Sequence, residues 1–274
     1  MSRNQDRLGG VQQPDTSPPS QQGGGGFSFV VPTEFVDLPS QGRFYPQGHP
    51  LHGQHSLEIK QMTAKEEDIL TSRTLLKKGL ALDKLIESLI VDKSINPSTL
   101  LVGDRNAIII AARVSGYGSD YNTNVACPSC GTKQDYNFNL NSANIESGNI
   151  REDLSVTDNG DGTITCILPK TQITVVAKLL TGAEEKSLIN SNPDEGLISK
   201  QLSSIIVSAN GDSSRQALDY VANNLPSFDS RHLRMVIKMA TPDVDLTQEF
   251  SCTNCGHTQE MEVPLTANFF WPDR

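Results

Sequence analysis

The chain has 274 residues, enough for one large domain or two small ones, and 36% of them are hydrophobic. Its longest apolar run, Ala107 to Ala112, falls far short of the roughly 20 residues of a membrane-spanning helix, and the first residues lack the apolar stretch of a secretory signal, so the expectation is a soluble protein made in a cytoplasm. A formal net charge of −9 argues against a nucleic-acid binder, whose affinity comes from basic side chains that displace counterions from phosphates.

Residues 1–26 are rich in Gln, Gly, Pro and Ser and end in four glycines. With so few apolar side chains they cannot offset the entropy of ordering, and a disordered arm is expected, serving as a tether or threading across a neighbouring subunit. Phe27 to Pro32 alternates. Phe35 to Pro46 (F-V-D-L-P-S-Q-G-R-F-Y-P) holds two prolines, a glycine and an aromatic pair, which fix an irregular extended path. Leu57 to Lys60 reads as a short strand. Thr63-Ala64-Lys65-Glu66 is a capping box and opens a helix to about Lys78, closed by Gly79. Leu82–Val91 predicts a second helix with Leu85, Ile86, Leu89 and Ile90 on one face. Asp104 is the candidate cap of a third, Arg105 to Val114, apolar nearly all round and therefore central. Tyr121 to Cys127 and Asp135 to Leu140 alternate and predict a hairpin. Leu154 to Lys178 reads as two or three strands, with Asn159-Gly160-Asp161-Gly162 as a tight turn; an EF-hand reading of that run fails because no glutamate stands at the twelfth position. Thr181-Gly182-Ala183-Glu184 is a second capping box, followed by helical segments over about 182–190, 195–208, 213–223 and 228–240. Val244 to Ser251 and His257 to Pro264 predict a second hairpin. Phe269, Phe270 and the single tryptophan, Trp271, are read as docking into the domain's own core or onto a partner.

The chemistry of the chain lies in its cysteines. Cys127-Pro128-Ser129-Cys130-Gly131 and Cys252-Thr253-Asn254-Cys255-Gly256 each sit between strand-like runs, about 120 residues apart. Two intervening residues let both sulfurs of a pair converge on one tetrahedral ion at about 2.3 Å, and the glycine permits the left-handed backbone that closes such a knuckle. The spacing predicts a single four-cysteine site for structural Zn2+, with thiolates at all four positions and none left for water or substrate. The chain between the pairs is then an insertion closed by the metal. Disulfides within the pairs are the alternative in an oxidising compartment; a redox C-x-x-C needs only one motif. Iron in a rubredoxin-like centre takes the same ligands, and zinc is the expectation because such iron centres serve electron transfer. His257 is read as a strand residue, and Cys166 is left over. No H-E-x-x-H, G-x-S-x-G, phosphate loop or dinucleotide fingerprint occurs, so no catalytic residue is assigned and no enzymatic activity is expected. His49, His52 and His55 fall in a loop broken by Gly and Pro rather than on a metal-binding face. Glu66, Glu67, Asp68, Glu184 and Glu185 suit the first turns of helices, where acidic groups complement the dipole.

Phe35 to Pro46, Met62 to Leu70 (M-T-A-K-E-E-D-I-L), Asp92 to Asn96 (D-K-S-I-N) and Cys127 to Gly131 together resemble the baseplate hub proteins and hub assembly proteins of T-even-like contractile-tailed bacteriophages, over roughly residues 27–265. The resemblance implies a virion tail component or hub-assembly factor, located in the tail baseplate and in the host cytoplasm during assembly. It implies other phage baseplate or tail proteins as partners, no small-molecule substrate and no membrane. The expected fold is α+β: a helix-rich domain with a zinc-ribbon-like pair of β-hairpins and a small antiparallel sheet. The expected division is a disordered arm (1–26), an extended segment with short strands (27–62), a helical part (63–118), paired hairpins (119–141 and 243–265), a β insertion (152–180), a second helical part (181–241) and an aromatic tail (266–274). Leu38, Pro39, Phe44, Tyr45, Pro46 and Trp271 are the expected partner contacts, with alanine at Phe44 and Tyr45 blocking incorporation into the hub without unfolding the chain. A zinc-ribbon nucleic-acid-binding or regulatory protein is the alternative.

Overall fold

A computed structural model describes residues 30–150, 155–189, 196–264 and 267–270; the arm at 1–26 and Trp271 lie outside them. From Pro32 on, the chain is one compact unit, mixed α+β, with helices and small antiparallel sheets. Strands β1 (Thr33–Asp37) and β2 (Ser56–Lys60) pair antiparallel, Thr33 opposite Lys60. Thr63 then opens α1 (Ala64–Thr71), its backbone N–H and hydroxyl donating to Glu66 Oε2 at 3.0 and 2.6 Å. The helix expected to run to Lys78 breaks at Ser72, whose extended backbone starts a separate α2 (Arg73–Lys77), and Gly79 follows with φ +63°. Helix α3 (Ala81–Leu89) buries Ala81, Leu85, Ile86 and Leu89, the i, i+4, i+8 spacing of one helical face.

Helix α4 (Val102–Tyr117) buries residues around most of its circumference and lies at the centre. Asp104 does not cap it; Leu101 does. Asp104 is the third residue of the helix, fully buried, and grips the loop after β1. Its Oδ1 accepts from Ser40 N (3.0 Å) and its Oδ2 from Ser40 Oγ (2.6 Å) and Tyr45 OH (2.8 Å). Tyr45 OH accepts in turn from Leu101 N at 3.0 Å, so one tyrosine satisfies a helix-terminal amide and a buried carboxylate together. Gly42 completes the turn at φ +71°; a Cβ there would sit 2.4 Å from Gln54 N.

Two hairpin strands follow, β3 (Asp120–Ala126) and β4 (Lys133–Asn139), with Tyr121, Thr123 and Val125 turned inward from β3. Beyond β5 (Asn144–Glu146) come β6 (Val156–Asp158), β7 (Thr163–Ile167), β8 (Thr174–Lys178), α5 (Gly182–Ile189), α6 (Leu197–Ile205), β9 (Ile206–Ala209), α7 (Arg215–Asn224), α8 (Ser227–Ala240), β10 (Asp243–Asp245), β11 (Thr247–Ser251) and β12 (Thr258–Glu262). β6-β7-β8-β9 form one antiparallel sheet, and β10 pairs with β5. The helix expected to reach residue 208 ends at Ile205, because the β-branched Ile206-Val207 pair enters the sheet beside β8. Phe269 and Phe270 are buried in the core. The fully buried Arg113 ties them in, donating to the carbonyls of Phe269, Gly118 and Asp120.

The chain between the two cysteine hairpins, expected as an insertion, repeats the chain before the first one. The series β1, β2, α1, α3, α4, β3–β4 is answered by β7, β8, α5, α6, α8, β11–β12, and the correspondence extends to single contacts. Leu38-Pro39 leaves β1 and Leu168-Pro169 leaves β7. The amide after each proline, Ser40 or Lys170, donates to a fully buried aspartate at the third position of the long helix, Asp104 (3.0 Å) or Asp229 (2.8 Å). Lys60 closes β2 and Lys178 closes β8; they reach Glu66 (2.7 Å) and Glu184 (2.5 Å), whose carboxylates also accept from Thr63 N and Thr181 N. After α3, Ile90 bridges Ile59 of β2; after α6, Ile206 pairs with Ala177 of β8.

These contacts carry two predictions. Asp104→Asn places an amide NH2 against the Ser40 and Tyr45 hydroxyls, and denaturant unfolding is expected to show a loss of about 2 kcal/mol; an unchanged midpoint contradicts the buried network. Burial raises the Glu66 carboxyl, but Lys60, Ser88 and Thr63 outweigh it and bring it from the ordinary 4.5 to about 2. The resulting stabilisation is present above pH 4.5 and is lost as pH falls through about 2. Thermal melts across this window are expected to show the decline, and Glu66→Gln to flatten it; a variant with the wild-type pH profile contradicts the assignment.

Candidate metal centre

Each cysteine pair sits on the tip of a hairpin, and the two tips are built alike. Cys127 N donates to Thr132 O (2.9 Å) and Gly131 N to Cys127 O (2.8 Å); in the second tip Cys252 N donates to His257 O (2.9 Å) and Gly256 N to Cys252 O (3.0 Å). Gly131 and Gly256 have φ of +72° and +69°, the left-handed turn that glycine adopts without a Cβ clash. The turns bring the four sulfurs within 4.8 Å of one another. Cys127 Sγ lies 3.8 Å from Cys255 Sγ, and Cys130 Sγ 3.8 Å from Cys252 Sγ. The two contacts exchange when the repeats are swapped, and each half contributes one pair.

The spacing fits a tetrahedral ion: metal–sulfur bonds of about 2.3 Å give sulfur–sulfur edges of about 3.8 Å. A disulfide does not fit, since its sulfurs lie about 2.05 Å apart, and all five cysteines are free. Cys127 and Cys252 are buried while Cys130 and Cys255 reach the surface, which gives the site an entry side. Thr132 beside Cys130, helped by Cys255 and Asn254, pulls the Cys130 thiol down to about 6. The His257 backbone amide favours the Cys255 thiolate, but the Cys130 sulfur, desolvation and the sulfurs of Cys252 and Cys127 prevail and push it up to about 12. Four crowded sulfurs cannot all ionise without a cation among them.

The hairpins are also joined away from the sulfurs. Gln134 Nε2 donates to Ser251 O (3.0 Å) while its Oε1 accepts from Thr253 N (2.9 Å). Tyr136 OH donates to Glu249 O (2.9 Å), and Gln248 exchanges two hydrogen bonds with the backbone of Asn139 at 3.1 and 2.9 Å. Tyr136 packs on Phe250 with ring centroids 5.1 Å apart. The two hairpins therefore form one body before any ion is counted.

The other expected site residues are placed differently. Leu38, Pro39, Phe44 and Tyr45 are buried, and only Pro46 of that set is exposed. Substituting Phe44 and Tyr45 by alanine therefore removes core side chains and is expected to destabilise the chain itself, contrary to the expectation that it still folds. The loop turns outward Gln41, Arg43, Pro46 and Gln47 instead. His49 stacks on Tyr45 with centroids 4.4 Å apart, and His52 Nδ1 lies 2.7 Å from Tyr45 O; among the described residues, the four cysteines are the only metal-competent cluster. His257 lies beside Gln259, Nε2 to Oε1 3.2 Å. Cys166 is buried within β7, and burial together with Asp229 pushes its thiol up to about 11. Gln134 was missed: nothing in a polar strand residue announces a cross-hairpin contact.

A family model described as T4 bacteriophage base plate protein matches residues 32–271. That is most of the chain, and the chain belongs to this family of phage baseplate proteins. Searches of curated proteins and of solved structures find no match. Among the described residues no helix is long and apolar enough to cross a membrane.

Gln134→Ala removes the contacts to Ser251 and Thr253 and is expected to lower stability by about 1–2 kcal/mol in urea unfolding; a variant as stable as wild type contradicts the weld between the hairpins.

Proposed function

We propose that this chain is a structural or assembly component of the baseplate hub of a contractile phage tail, acting through contacts with other baseplate and tail proteins and without enzymatic activity. The family match over residues 32–271 carries this reading. The chain acts in the virion tail, and in the host cytoplasm while the baseplate assembles. The paired hairpins serve as a zinc-ribbon-like clasp, with Zn2+ held by Cys127, Cys130, Cys252 and Cys255. A Zn2+ ion there supplies cohesion and no reaction chemistry: every position is filled by a thiolate. In the division we favour, the arm at 1–26 precedes a body formed by the rest, with Pro46 and Trp271 as partner contacts. The nucleic-acid alternative draws no support, because the net charge is −9 and Pro128, Ser129, Thr253 and Asn254 leave both knuckle tips uncharged.

Binding of such an ion contributes on the order of 10 kcal/mol of apparent free energy, comparable with the whole stability of a domain. Elemental analysis of purified protein is expected to find one zinc per chain. Cys252→Ser is expected to lose the metal and to melt well below wild type, and metal-depleted wild type to melt with it. Mass spectrometry of purified particles is expected to find the wild-type chain and not the variant. Stable metal-free protein overturns the clasp; wild-type chain absent from baseplates overturns the structural role.

A further inference from the structure

The two repeats differ at one sheet edge. In the second, β7 is flanked on both sides, by β8 and by β6. In the first, its counterpart β1 is flanked by β2 alone; no described residue pairs with its other edge.

The hydrogen-bond phase identifies which groups are left open. Leu38 N donates to His55 O and Gln61 N to Pro32 O. Even-numbered residues of β1 therefore face β2, and Thr33, Phe35 and Asp37 turn their N–H and C=O groups outward. Their counterparts, counted from the shared Leu-Pro, are Thr163, Thr165 and Ile167. In the second repeat those residues face β6 and its flanks: Thr165 lies opposite Thr157, Asn159 N donates to Thr163 O (3.1 Å) and Ile167 N to Ser155 O (3.3 Å). The same phase is thus satisfied in one half and open in the other.

The side chains on the open edge point to what fills it. Phe35 at its centre is 72% exposed. Glu34 stands where the second repeat has Ile164, and its buried Oε1 has no hydrogen-bond partner. An orphaned carboxylate oxygen calls for a donor. In the second repeat Asp158 of β6 lies opposite Ile164, and the buried Val156 opposite Cys166, the counterpart of Val36. A second copy of β1 is a poor occupant, because it brings its own Glu34 and Asp37 into an already acidic sheet.

We propose that the outer edge of β1 is completed by an extended segment of a neighbouring baseplate protein. The segment runs antiparallel to β1, with an apolar side chain opposite Val36 and Lys or Arg opposite Glu34. Strand addition of this kind draws affinity from main-chain hydrogen bonds and specificity from alternate side chains, and it removes an exposed edge from the finished particle. The proposal rests on the structural role proposed above.

Backbone hydrogen exchange on the full wild-type chain, free and in purified particles, tests it. The amides of Thr33, Phe35 and Asp37 are expected to exchange freely in the isolated chain and to be protected in the particle. Phe35→Pro removes an outward N–H without touching the β1–β2 ladder; incorporation is expected to be lost with the melting temperature unchanged, while Phe35→Thr, the residue of the second repeat, still assembles. If the proline variant fails to fold, exchange in the wild type decides alone. Open amides in the particle overturn the proposal, as does a proline variant that assembles normally. Protection already present in the free chain overturns it too: the occupant is then the chain's own arm if a variant lacking residues 1–26 loses that protection, or a second copy if protection rises with concentration. Wild-type chain absent from the particle sinks the structural role and this proposal together, whereas its presence with open amides sinks the proposal only.

Discussion

Four sulfurs lie within 4.8 Å of one another, two from each half of the chain, where the tips of the two hairpins meet. Left as thiols they are a crowded set with conflicting proton affinities: Cys130 is drawn down to about 6 and Cys255 driven up to about 12. A single divalent cation among them would resolve that conflict. Because the pairs lie about 120 residues apart, a cation held there would also close a long loop, and a clip across a long loop removes much of the freedom of the unfolded state.

What the two hairpins join is a repeated unit. Each half lays a strand pair, a threonine-capped helix and a long central helix in the same sequence, and each pins its Leu-Pro corner with a buried aspartate, Asp104 or Asp229. Asp104 is pushed up by burial against the pull of Ser40 and Tyr45, whereas at Asp229 the Lys170 and Thr171 groups outweigh burial and lower the carboxyl. The framework is shared, and its local chemistry has diverged. Divergence is greatest at the outer strand, where β6 covers one half and the other is left with a five-residue edge. For a protein of a baseplate family, rigidity in the joined body and an open edge at its surface are complementary properties.

Local signals in the sequence were legible. The C-x-x-C-G tips, both capping boxes and the alternating hairpin strands follow from spacing over a few residues, and the structure holds each of them. What spacing could not reveal was direction. Phe44 and Tyr45 resemble a docking pair because they sit among Pro and Gly, yet the Ser40–Asp104 contact turns the loop inward and buries both. Asp104 before an apolar helix reads as a cap, since nothing local separates a capping aspartate from one inside the first turn. The duplicated hairpin tips and capping boxes are legible, but the repeat of the whole unit is not, because between them it survives in scattered residues. Besides the C-x-x-C-G tips, its longest trace is Lys-x-x-Thr-x-x-Glu-Glu at 60–67 and again at 178–185, which becomes meaningful once Lys60 and Lys178 are seen paired to Glu66 and Glu184.

The most direct test of the account is X-ray absorption at the zinc edge on the purified full-length chain. One zinc surrounded by four sulfur scatterers at about 2.3 Å is the expected result. A first shell of nitrogen and oxygen, or sulfurs found paired in disulfides, would contradict the metal clasp proposed between the two hairpins.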